Sequence, residues 1–231
     1  MLILLFIFGF TLLISLVAMM RVKSTYAKYS NVLAASGYTG SEAAAQILEA
    51  AGIHDVEIVE HEELLGDHYD PIHKRLVLSA QNFRGSSAAA LGVSAHECGH
   101  AIQHKIAYAP LQWRMAAVGV TNFASQIVMW LPLIGMFTGV LSSYTGVLIM
   151  ALGWGVIMAF NLVTLPVEFD ASRRAKLILG QMGFIKQGEE ATAVRKVLDA
   201  AAWTYVAAFI TSLVYFLWHL LPLLTGRGDE H

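Results

Sequence analysis

Ala89-Ala90-Leu91-Gly92-Val93-Ser94-Ala95-His96-Glu97-Cys98-Gly99-His100-Ala101-Ile102-Gln103 is the stretch on which the reading of this 231-residue chain turns. Ser86 and Ser87 offer caps ahead of strong helix formers, and nothing breaks the pattern before Pro110, so a helix is expected over about 86–107. On that helix His96 and His100 stand one turn apart on one face, where both imidazoles can reach a single tetrahedral ion at about 2.0–2.1 Å. Glu97 is offset round the helix, better placed to take a proton from water than to ligate. Such a pentad arises by chance in roughly one or two of every hundred sequences of this length and composition, so its surroundings must decide. Gly99 costs about 1 kcal/mol relative to alanine inside a helix, which calls for close packing, beside a metal or against another helix. Cys98, the single cysteine, lies two residues from each histidine, points off their face and reads as a small buried thiol.

Working outward, 56% of the residues are hydrophobic and 14% charged, the profile of a polytopic membrane protein. Residues 2–20 carry no charge and are long enough to span a bilayer. A cleavable signal peptide is the rival reading, but a basic n-region and a small-x-small site before Arg21 are both missing. A second uncharged stretch from Met115 to Val167 holds two spans, taken as 115–165, with the turn at Gly139–Gly146. A fourth span is expected at 200–226, leaving a tail of 227–231; His219 in that span reads as interfacial.

Fourteen of the fifteen lysines and arginines fall in 21–114 and 166–199, Arg227 being the exception. Four spans place those two segments on one side of the membrane, and the positive-inside rule makes that side cytoplasmic, with both termini outside. With two spans between them, the pentad and the residues after Val167 can meet. A single cysteine forbids an intrachain disulfide, as suits that compartment. The net charge of −2 provides no basic surface, so no nucleic-acid partner is expected.

The 21–114 segment can make only a small α+β head: a helical continuation over 21–30, a short amphipathic helix over Glu42–Ala51 ended by Gly52, a strand over Val56–Glu60, a turn at Tyr69-Asp70-Pro71 and a strand over Arg75–Ser79. Loop 61–73 concentrates histidines and acids without a known ligand spacing; a solvated loop is the simpler reading, a second metal the alternative. If this loop borders the site, His68 or Tyr69 could donate to a developing oxyanion.

A catalytic zinc takes three protein ligands. His104 continues the series but lies about 12 Å along the helix from His96, and Ile106 stands where an elongated motif needs histidine. The best downstream carboxylate is Glu168, with Asp170 second; both lie in Thr164-Leu165-Pro166-Val167-Glu168-Phe169-Asp170-Ala171-Ser172, where Pro166 can start a new helix or kink the old one.

Three stretches, Asp67–Pro71, Ala89–Gln103 and Leu165–Ser172, resemble the YugP-type membrane zinc metallopeptidases of prokaryotes, and the resemblance covers essentially the whole chain. It implies an α-helical membrane protein of about four transmembrane helices with a small α+β, zincin-like cytoplasmic domain. It also implies one catalytic Zn2+ on His96, His100 and Glu168, with Glu97 as base. The more distant HtpX-type membrane peptidases carry an aspartate four residues after the ligand glutamate. Ser172 occupies that place here, leaving Asp170 or Ser172 to orient a histidine.

The chemistry expected is peptide hydrolysis of protein or peptide substrates, membrane proteins among them, at the bilayer surface: Glu97 takes the proton of an attacking water and returns it to the leaving amine. The strand Arg75–Ser79 precedes the helix of the pentad and could pair with an extended substrate by strand addition. A site-2-type intramembrane protease would need an Asp-Gly that the chain lacks, and a non-catalytic scaffold with structural zinc would need a closed four-ligand site. A membrane complex or a homo-oligomer stays open.

Overall fold

A computed structural model describes residues 2–62, 66–139 and 143–225. Arg227 and the 227–231 tail, the middle of loop 61–73 and the centre of the 139–146 turn lie outside the described residues. Among the described residues, seven helices and three short strands follow in the order α1 (Leu2–Tyr29), α2 (Gly40–Ala50), β1 (Glu57–His61), β2 (His68–Asp70), β3 (Arg75–Ser79), α3 (Ala80–Arg84), α4 (Ala88–Lys105), α5 (Ala109–Thr138), α6 (Tyr144–Gln181) and α7 (Glu189–Leu224). Four of them, α1, α5, α6 and α7, are long and apolar enough to cross a membrane.

The chain divides into two compact units. One comprises Met1–Leu16, Trp113–Leu165 and Tyr205–His231. It is built from apolar helix segments packed through small and polar residues: Gly155 lets the Phe216 ring approach, Trp154 stacks on Tyr215 at 4.5 Å, and Asn161 Nδ2 donates to Ala208 O and Ser212 Oγ. Its outward side chains are large and apolar, Leu2 at 81% and Phe137 at 85% exposure among them, which is inexpensive only against hydrocarbon.

The other unit comprises Val17–Gln112 and Pro166–Thr204. Its sheet has the order β1-β3-β2, with β1 parallel and β2 antiparallel to β3. Leu76 and Leu78 of β3 enter a core shared with Ile47 and Leu48 of α2, Leu91, Ala95 and Cys98 of α4, Leu179 of α6 and Val194 and Leu198 of α7. A capping box holds α2: Thr39 Oγ1 accepts from Glu42 N while a Glu42 carboxylate oxygen accepts from Thr39 N.

Three expectations need correction. The Tyr69-Asp70-Pro71 turn is displaced: His68–Asp70 form β2, a strand too short for alternation to reveal, and the turn follows it. Of the two readings of Pro166, a new helix start or a kink, the new start falls, because α6 runs through it while proline deprives the Leu162 carbonyl of its helical donor. Finally, β3 is the central strand, paired with β1 along its length and with β2 at Arg75–Val77, so that stretch has no free edge for a substrate strand. The helix carrying the last expected span begins well before residue 200, at Glu189.

Candidate metal centre

Helix α4 is almost wholly buried, lined with alanine and glycine, and its start is set by Ser87, whose Oγ accepts from Ala90 N at 3.1 Å. His96 and His100 stand on one face with ring centroids 4.8 Å apart and planes nearly perpendicular. Glu97 beside them is buried, and its carboxylate has no hydrogen-bond partner among the described residues.

Helix α6 supplies the opposing wall. Glu168, 2% exposed, places Oε2 3.2 Å from His96 Nε2 and 3.5 Å from His100 Nε2. One ligand atom from each of the three residues lies within 4.8 Å of the others. A tetrahedral ion with bonds of about 2.0–2.1 Å has ligand atoms about 3.3–3.4 Å apart, so the two contacts to Glu168 have the right length for neighbouring ligands. The donor set, two imidazole nitrogens and one carboxylate oxygen, also suits zinc. A buried carboxylate facing two imidazoles further needs a positive charge between them. Burial alone would lower the His100 pKa, but the hydrogen bond and charge of Glu168, with Glu97 nearby, raise it above the ordinary histidine value.

Each imidazole is held from behind. Ser172 Oγ lies 3.1 Å from His96 Nδ1. His100 Nδ1 lies 3.0 Å from Gln103 Oε1. Gln103 is fully buried, and its Nε2 donates to Val167 O at 2.8 Å and to Asp170 Oδ2 at 3.0 Å. Both amide protons are thereby committed, so Oε1 faces the ring and His100 Nδ1 must be the donor, leaving Nε2 as the ligating atom. Asp170 is itself clamped by Arg173 and Arg174. Asp170 therefore does not join the three-residue group; it supports His100 through Gln103, while Ser172 supports His96 directly. Gln103 escaped the sequence reading. Its only signal is a position three residues after His100 on the same helix.

Gly99 permits the approach of α6. A Cβ there would lie 2.9 Å from Ala171 O and 3.1 Å from Ala171 Cα. Ala171 sits between Asp170 and Ser172, so the close packing lies beside the ligands and is a helix-helix contact as well. Cys98 points away, its Sγ toward Ala44 O at 3.7 Å, and burial raises its thiol pKa.

The remaining expected residues stand elsewhere. His68 Nδ1 contacts Gly66 O at 2.7 Å, and the Tyr69 hydroxyl contacts His104 Nδ1 at 2.9 Å, so both are engaged locally. Among the described residues, loop 61–73 gathers no second group of three metal-binding side chains.

A family model described as "Putative neutral zinc metallopeptidase" matches residues 3–224. The "Putative membrane protease YugP" of Bacillus subtilis (strain 168) is 43% identical over 218 residues, which are 92% of this chain and 93% of that protein. No solved structure matches the chain.

Proposed function

The chain belongs to this family of zinc metallopeptidases, and on that premise we propose that it is a membrane-anchored endopeptidase that hydrolyses protein substrates at the cytoplasmic face. The observation that carries this reading is the convergence of His96, His100 and Glu168 with the unengaged carboxylate of Glu97 beside them. These three side chains would hold one zinc ion, with Gln103 fixing the tautomer of His100 and Ser172 orienting the ring of His96. Bound there, zinc supplies Lewis acidity to a substrate carbonyl and lowers the pKa of a water. Glu97 takes the proton from the attacking water and delivers it to the departing amine.

The unit of Val17–Gln112 with Pro166–Thr204 serves in this reading as the zincin-like head, and the apolar helix segments as its anchor. Clustering of all but one lysine and arginine in 21–114 and 166–199 supports a cytoplasmic head with both termini on the far side. Because β3 is paired on both sides, an extended substrate would add to the outer edge of β2, whose Tyr69 contacts α4 through His104. The test is Glu97→Gln in the full chain. Retained zinc with abolished cleavage of an unfolded reporter protein is expected, and undiminished cleavage by the pure variant defeats the reading.

A further inference from the structure

Beyond the metal centre, α4 borders a second feature: a cavity of about 500 Å³ between its C-terminal half, the loop after α2 and the end of β2. Its apolar walls are Ile53, Val56 and Ala101; its polar walls include Tyr69, His104 and Lys105. Lys74 and Asp55, also at the cavity, pair with each other, and the Asp55 charge still reaches Tyr69, whose pKa burial and this charge raise. Lys105 has no such partner. Its Nζ donates to Ala51 O and Gly52 O, the carbonyls at the end of α2, and no carboxylate among the described residues pairs with it. An ammonium has three N–H groups, so two carbonyls orient it and one donor is left.

The Tyr69–His104 pair adds a second donor whichever way its proton lies. If the Tyr69 hydroxyl donates to Nδ1, His104 carries a proton on Nε2; if Nδ1–H donates, the Tyr69 hydroxyl proton is free. The cavity thus combines apolar walls, a cation without an anionic partner and a spare neutral donor. His104 lies one helical turn beyond His100, about 6 Å along the axis, and an extended chain advances about 3.3 Å per residue. Along the axis of α4 the cavity therefore begins about one helical turn from the metal centre, with Ala101 and Lys105 further round the helix.

We propose that this cavity is a specificity subsite for a carboxylate carried on an aliphatic stem, supplied by an acidic side chain or by the C-terminal end of a substrate, with Lys105 as its cation and the Tyr69–His104 pair as a second donor. The proposal rests on the peptidase reading for the identity of the ligand, so its test is a binding measurement independent of turnover. Labelled decapeptides with a single Glu or Gln at successive positions, and matched peptides ending in carboxylate or amide, are titrated against full-length Glu97→Gln protein in detergent by fluorescence anisotropy. Because the cavity is open to solvent, a preference of about fivefold for the carboxylate is expected at low salt, shrinking as salt is added. Preference at an internal position identifies an acidic side chain as the source; preference confined to the free C-terminus identifies the chain end. Lys105→Gln should equalise the paired peptides, and Lys105→Arg should retain the preference, which separates loss of charge from loss of fold. Equal binding of the paired peptides, a preference that survives Lys105→Gln, or no binding of any peptide at millimolar concentration overturns the subsite. Preferential binding without cleavage by the wild-type protein would instead defeat the peptidase reading and leave the subsite standing.

Discussion

Gln103 Oε1 accepts from Nδ1 of His100 at 3.0 Å, and the same amide's two protons are spent on Val167 O and Asp170 Oδ2. One buried side chain therefore ties the second histidine of α4 to the segment of α6 that carries Glu168. Replacement by leucine removes the acceptor and leaves the Val167 carbonyl and Asp170 short of a donor. Gln103→Leu should weaken zinc binding roughly 10–100-fold, the usual range for losing a partner of a metal-bound histidine. Titration against a chelating competitor measures it, and unchanged affinity would show that the ring needs no such support.

Ser172→Ala tests the other histidine. The hydroxyl makes one contact to His96 Nδ1, at 3.1 Å, with no second link to the fold comparable to that of Gln103. A smaller effect is expected than for Gln103→Leu, because a water can replace a single hydroxyl where an amide spanning three partners cannot be replaced. The ranking of the two variants by zinc retention is the readout, and the reverse order would refute the argument.

Much of this arrangement was legible in the sequence. Helix α4 announces itself through Ser87, its alanines and the absence of a breaker before Pro110, and the paired histidines follow from its 3.6-residue period. Glu168 was reachable because the uncharged stretch from Met115 to Val167 is long enough for two spans, an even number that would let the residues after it meet the pentad. The missing parts depend on contacts that local pattern does not encode. β2 is three residues long and exists because β3 offers it an edge. Gln103 is an ordinary helix residue until α6 brings Val167 and Asp170 to its amide. Pro166 signals a break, yet α6 continues through it, and the segment beyond is held by the ligand cluster and by the core contacts of Ala175 and Leu179.

Metal uptake should depend on pH in a definite direction. The proton on metal-free His100 is held above the ordinary histidine pKa, and zinc must displace it. Zinc affinity should therefore rise as pH increases through the raised value. The metal-free fold should behave oppositely: the stabilisation from this protonated histidine is complete below the ordinary value and is lost as pH rises through the raised one. Melting temperatures of chelator-treated and zinc-loaded protein across pH 5 to 9 would reveal the divergence; parallel curves would exclude it.

Asp67 offers a test remote from the metal. Its Oδ1 accepts from Ser79 N at 2.7 Å, and its Oδ2 accepts from Asn82 Nδ2 at 2.9 Å, while Asn82 Oδ1 accepts from the Tyr26 hydroxyl at 2.6 Å. Asp67 thereby ties Ser79, at the start of α3, and the Asn82 side chain within α3 to the loop before β2, and Asn82 carries the link on to α1. Asp67→Ala should cost about 1–3 kcal/mol, because several donors lose a buried acceptor. Faster limited proteolysis around residues 60–70 at unchanged zinc stoichiometry is the expected result.

Gly99→Ala is the sharpest test of how α4 and α6 meet, because two effects of opposite sign compete. Alanine is favoured over glycine inside a helix by about 1 kcal/mol, so an unobstructed site would gain stability. Here the new methyl would stand 2.9 Å from the carbonyl oxygen and 3.1 Å from the Cα of Ala171. Both are backbone atoms that move only if α6 moves, and such overpacking costs typically about 1–3 kcal/mol. The clash should win. Since Ala171 lies between the residues that reach Gln103 and His96, displacing α6 would also carry Glu168 away from the histidine pair. Gly99→Ala should therefore lower the melting temperature of the metal-free protein and reduce zinc occupancy together, whereas a variant that is more stable and still binds zinc would mean that α6 yields at no cost to the site.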